Sequence, residues 1–202
     1  MQVSNCIGCH AFPCVDVKHD CYIVPEIDLN PEKISMLMIS EAAPQDAGDY
    51  YYKGGTSLFE QTTILAFQDA GAKVESIQDL VDMGVYFTTT VKCGKTGYGI
   101  KAATVKECSL ILEQEMALFR NVKVFMLMGD VAIKGLNYIA KREGEPRVIP
   151  AGSTYKIRSE AYYYKGQRAF PSYLQAGPSF FIEKSKRKMI AEDIKDALDL
   201  MT

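Results

Sequence analysis

Four of the six cysteines combine a C-x-x-C near the N-terminus, Cys6 and Cys9, with a distant pair, Cys93 and Cys108. Four thiolates are the usual ligand set of a cubane iron–sulfur cluster or a structural zinc. A set divided between the two ends of so long an interval suits a metal that ties an N-terminal tail onto the body of a domain. A local alternative exists. Cys6, Cys9, Cys14 and Cys21, with His10 and His19 nearby, have the composition of a zinc knuckle, and Cys14 could replace one of the first two cysteines. The split set is preferred because it accounts for Cys93 and Cys108.

The chain has 202 residues, 48% of them hydrophobic and 24% charged, which suits one domain over residues 1–202 with an N-terminal cysteine-containing segment. Continuous apolar runs at 34–39 and 122–128 and a β-branched, aromatic run at 85–91 read as buried strands. Helices are expected over 57–70, 77–83, 104–119, 130–142 and 183–201. Thr104 and Glu107 have capping-box spacing, which puts Cys108 in the first turn of its helix. A hairpin is expected over 147–158 with its turn at Ala151 and Gly152, and a last strand over 166–170, ended by Pro171. Strands alternating with helices predict an α/β fold, a three-layer α/β/α sandwich around a four-stranded, mainly parallel sheet. Ligands of such sheets bind at the carboxyl ends of the strands. Segments 40–49, 88–95 and 170–177 should therefore converge.

These segments, in this order, resemble the uracil-DNA glycosylase superfamily, and its iron–sulfur branch most. Met38-Ile-Ser-Glu-Ala-Ala-Pro44 takes the place of the branch's G-E-x-P-G motif, and Thr88-Thr-Thr-Val-Lys-Cys93 that of T-N-V-V-K-C. Glu107-Cys108, Leu127-Met-Gly-Asp-Val-Ala132 and Phe170-Pro-Ser-Tyr-Leu174 follow at the remaining motif positions, so the likeness covers essentially the whole chain. The resemblance implies a 4Fe-4S cluster, with zinc as the alternative, on Cys6, Cys9, Cys93 and Cys108. It implies a flipped base held near Ser40, Ala42, Phe59, Thr89 and Phe170, with Tyr50, Tyr51 and Tyr52 as further stacking surfaces. It implies DNA contacts from Ser172, from Leu174 as a wedge, and from Lys186 and Arg187.

Two substitutions depart from the family. Its uracil-reading Asn is Thr89 here, and the His that steadies the departing base is Phe170. The first motif also has Ala42 where the best-known branch carries a water-positioning Asp. Cleaving an N-glycosidic bond needs a negative group near the sugar, a held water and donors to the base. Glu41 and Asp46 are the candidates for the sugar and water role. Their structural alternatives are a backbone contribution from Glu41 and a turn cap by Asp46.

The net charge of −2 does not mark a polycation, but residues 153–190 hold a local basic excess able to face phosphates. No apolar run is long enough to span a bilayer, and MQVSNCIGC lacks the features of a signal peptide, so a cytoplasmic monomer with reduced thiols is expected. The leading expectation is a DNA repair glycosylase that flips out uracil or another deaminated base and hydrolyses its bond to deoxyribose. The alternative is a catalytically weak or inactive iron–sulfur protein that binds damaged or single-stranded nucleic acid.

Overall fold

The computed structural model describes residues 1–55, 57–97 and 99–201. The expected apolar runs form β2 (Met36–Ala43), β3 (Val85–Lys95) and β4 (Val124–Met128), and a fourth central strand is β6 (Gln167–Ser172). These four run parallel, β2 lying between β3 and β4, and β4 beside β6. Met36, Met38, Ile39, Val124 and Met126 are fully buried, which explains why these strands read as continuous apolar runs rather than alternating ones.

The sheet has six strands, not four. Two short antiparallel strands close its edges: β1 (Val17–Lys18) against β3, and β5 (Tyr162–Tyr164) against β6. The expected hairpin over 147–158 is absent from that position. Asn137 explains why: its side chain accepts from the Val148 and Ile149 N–H groups and donates to the Ile149 carbonyl, pinning the segment to a helix. The hairpin is instead β5–β6, turning on Lys165 and Gly166. Both have positive φ, at 50° and 84°, as a two-residue type I′ turn requires.

The last strand also runs past Pro171, which was expected to end it. Arg168 N–H and Ser172 C=O bond towards the β4 side, so the alternate position 171 faces the outer edge beyond Ala169, the last residue paired with β5. A missing N–H costs no ladder bond there.

Helices cover both faces. Tyr86 and Thr88 of β3 donate to Glu115 on α3 (Ala102–Met116), while Phe87 between them packs edge-on against Phe67 of α1 (Leu58–Asp69), centroids 6.0 Å apart. Successive strand residues point to opposite faces, so α3 and α1 lie on opposite sides. Helix α4 (Asp130–Arg142) packs on α3, and α7 (Lys184–Asp199) packs on α1 and against β6. The shorter helices are α2 (Ile77–Asp82), α5 (Thr154–Ile157) and α6 (Ser179–Ile182). The result is three layers of an α/β fold.

The capping box expected at Thr104 does not form. Helix α3 begins two residues earlier, and Asp16 from the N-terminal segment caps it, accepting from the Lys101 N–H at 2.7 Å and from the Thr104 hydroxyl. Cys108 is therefore in the second turn, not the first.

Candidate metal centre and adjoining cleft

The N-terminal segment reaches the sheet through β1, which pairs Val17 with Lys95 and Lys18 with Gly94. Position 94 must be glycine: a methyl group there would stand 2.8 Å from Cys21 Cβ and 2.9 Å from the Pro44 carbonyl oxygen. This clamp carries Cys9 and Cys14 over the end of β3. There they line a cavity of about 280 Å³ together with Cys93, Cys108 and His19. The Cys9 N–H donates to the Tyr22 hydroxyl at 2.9 Å, and Phe12 packs edge-on against both His19 and Tyr22.

His19 is held at both nitrogens. Nε2 is 2.8 Å from the Cys14 carbonyl oxygen, which can only accept, so Nε2 carries the proton. Nδ1 is then the lone-pair nitrogen, 3.4 Å from Cys93 Sγ. A ring N–H anchored on a backbone carbonyl is how metal-bound imidazoles are commonly oriented.

Burial pushes the Cys93 thiol up to about 12, helped by the fields of Cys108, Cys14, Cys9 and Cys21. Cys108 is raised to about 11, again mainly by burial, with Cys14 and Cys9 adding to it and the Lys92 backbone bond opposing it. The thiols lining the cavity are donors of the type that a cluster or zinc takes, and the charge of such a group would favour the thiolates. Among the described residues, no three His, Cys, Asp or Glu side chains are gathered as for a single ion.

Two cysteines lie apart. Cys6 is exposed, with its thiol towards the Gln2 carbonyl, and does not line the cavity. Cys21 is buried, with its thiol donating to the Gln45 carbonyl at 3.1 Å. Of the expected ligands, the structure therefore brings together Cys9, Cys93 and Cys108. The fourth thiol beside them is Cys14.

Of the three segments expected at the carboxyl ends of the strands, 40–49 and 170–177 share one cleft, and 88–95 reaches its Glu41 through Lys95. Glu41, Gly129, Tyr173, Leu174 and Lys186 line this cleft of about 200 Å³ at the carboxyl ends of β2, β4 and β6. Glu41 lies over Gly129, whose φ of 103° and lack of a side chain admit it: a methyl would stand 2.7 Å from Oε1. Lys95 faces Glu41 from the end of β3 at 3.4 Å. Asp46 takes the capping role instead. It is exposed and accepts from the Gly48 N–H at 2.9 Å, so of the two candidate carboxylates only Glu41 enters the cleft.

The residues expected to hold a base are divided. Ser40 and Thr89 are register partners on adjacent strands and are fully buried. Above them Tyr51, also fully buried, shares a hydrogen bond with the Ser40 hydroxyl, and Gln175 reaches both. Phe59 packs on Tyr51 at 5.2 Å between ring centroids. Phe170 is buried under the Arg168 guanidinium, 4.1 Å from its ring centroid. Ala42 belongs with Val91, Cys93, Cys108 and Val131 beside the thiol cavity rather than with Ser40.

The expected DNA contacts also divide. Ser172 is buried and donates to Asp193 at 2.5 Å, which Arg158 also holds, so its hydroxyl is not available to a phosphate. Arg187 pairs with Asp69. Leu174 and Lys186 do line the cleft, with Lys186 paired to Glu183 at its rim and 5.4 Å from the Tyr173 ring centroid.

No family model matches this chain, and no curated protein matches it.

Three features escaped the sequence reading. Gln175 lies within the expected convergent segment but carries no motif. Tyr51 was one of four aromatics that spacing could not separate. Lys92 and Glu115 form a fully buried ion pair beneath β3, also satisfied by Tyr86, Thr88 and the Thr89 carbonyl. An unbroken strand interrupted by one lysine was its only sequence signal.

Proposed function

We propose that this chain is an iron–sulfur DNA glycosylase of the uracil-DNA glycosylase superfamily, with Cys9, Cys14, Cys93 and Cys108 holding a 4Fe-4S cluster. The observation that carries the reading is the thiol-lined cavity built from the N-terminal segment and the middle of the chain beside a carboxyl-end cleft. Parts of three motif segments, represented by Glu41, Gly129 and Leu174, meet in that cleft. When bound, the cluster would fasten the N-terminal segment to β3 and α3, a structural role.

Of the two candidate carboxylates, Glu41 is the one in the cleft, where it would stabilise positive charge developing on the sugar and orient water. Lys95, 3.4 Å away, fixes its direction. Leu174 is placed to fill the space left in the duplex, and Lys186 to meet a phosphate once released from Glu183. A second reading, binding of damaged or single-stranded DNA without turnover, is favoured by one observation. Phe170 offers no hydrogen-bond donor, and Ser40 and Thr89 are sealed under Tyr51.

The test is base release from oligonucleotides carrying uracil, hypoxanthine or xanthine, by wild type and Glu41→Gln. Release by the wild type that falls at least tenfold in the variant supports the glycosylase. DNA binding without release by either protein supports the second reading.

A further inference from the structure

Just past β6, Gln175 is fully buried, and its side-chain hydrogen bonds lie at the long end of the usual range. Its Nε2 lies 3.2 Å from Tyr51 Oη, 3.4 Å from Thr63 Oγ1 and 3.2 Å from Met38 Sδ. Its Oε1 accepts only from the Ser40 hydroxyl, at 3.4 Å. Amide bonds in proteins cluster near 2.9–3.0 Å. Nearby, Thr89 Oγ1, on the strand position in register with Ser40, and Tyr50 Oη face each other without a well-formed hydrogen bond among the described residues. Buried polar groups are ordinarily well paired, so several weakly paired ones together call for a reason.

The segment is nevertheless held firmly. The Gly177 N–H donates to Thr62 Oγ1 on α1, so Gln175 is positioned from both sides rather than loosely packed. The amide thus presents an acceptor and a donor side by side, at the carboxyl end of the sheet, with the Thr89 hydroxyl nearby. The Tyr51 phenol occupies the space they share.

We infer that Gln175 is the residue that reads the base, taking a lactam edge (a ring carbonyl beside a ring N–H, as in uracil or hypoxanthine) once the Tyr51 hydroxyl has withdrawn. Oε1 accepts the ring N–H, Nε2 donates to the ring carbonyl, and Ser40 completes the contact. This supplies the two-pronged recognition that Thr89 and Phe170 cannot give. It also accounts for the long contacts that Gln175 makes when no base is present. The inference rests on the glycosylase-superfamily reading and deepens it.

The experiment uses the full chain with its metal. Two duplexes are compared, identical except that one carries a single 2′-fluoro-2′-deoxyuridine, which resists cleavage, in place of deoxycytidine. Wild type, Gln175→Leu and Gln175→Glu are titrated with each, and the ratio of the two Kd values is read. Base release from an ordinary uracil strand is measured alongside. Unchanged visible spectra and melting curves identify folded variants, and the isosteric Glu variant keeps the test alive if the Leu variant does not fold.

The expected result is a wild-type preference of tenfold or more that falls to about one in both variants, with affinity for the normal duplex unchanged. That is the loss of about 1.4 kcal/mol of discrimination or more. A preference retained in the variants overturns the role of Gln175 while leaving the glycosylase reading in place. A wild type that neither prefers nor cleaves the uracil strand overturns both.

Discussion

The Nδ1 of His19 stands 3.4 Å from the Sγ of Cys93, joining the N-terminal segment to the end of β3. The residues between Cys9 and Tyr22 turn back on themselves to make that contact, and Cys14 is carried into the cavity in the process. A C-x-x-C spacing favours Cys6 on paper. The β1 pairing and the His19–Cys14 carbonyl bond bring Cys14, and not Cys6, to the lining of the cavity.

The Lys92–Glu115 pair should be indispensable as a pair but not as charges. Glu115→Leu leaves an ammonium buried with only Thr88 Oγ1 and the Thr89 carbonyl, and should cost about 3–5 kcal/mol by chemical denaturation. The double change Lys92→Met with Glu115→Leu should recover most of that loss. A double variant as unstable as the single one would contradict this account of the pair.

Gly129→Ala should damage the cleft specifically. The new methyl meets Glu41 at 2.7–2.9 Å, and the φ of 103° strains any L side chain by about 1–3 kcal/mol. Stability should fall by that order and DNA affinity or base release should fall with it, because Glu41 must move. A variant with wild-type melting temperature and wild-type activity would contradict the placement of Glu41.

How much of this was legible in the sequence divides by the range of the interaction. The runs at 34–39, 85–91 and 122–128 announce the central strands because burial on both faces leaves no room for polar residues. By contrast, Thr104 and Glu107 have the spacing of a cap, but Asp16, distant in sequence, takes the site. Val148 and Ile149 have the composition of a strand, but Asn137 takes their backbone groups. Gln175 and Tyr51 are polar residues whose burial depends on three segments meeting. The cleft was legible as a convergence of those segments, and its inner polar wall was not.

The capping box at the start of α2 gives a pH dependence. Asp79 accepts from the Glu75 N–H at 2.8 Å and the Ser76 N–H at 2.9 Å, which hold its carboxyl below the usual value of 3.8. A depressed folded-state pKa contributes stability above the unfolded value, lost as pH falls through the folded one. Carboxyl NMR titration should show Asp79 ionising below 3.8, and Asp79→Asn should flatten the acid limb of the stability curve. Titration at or above 3.8 would contradict the cap.

The most direct test of the central claim is anaerobic purification followed by a visible spectrum and iron, sulfide and zinc analysis of wild type, Cys6→Ser and Cys14→Ser. The expected result is a broad brown absorbance with about four irons and four sulfides per chain. These should be kept in Cys6→Ser and lost in Cys14→Ser. Zinc without iron, or a cluster that needs Cys6 and tolerates the loss of Cys14, would contradict it.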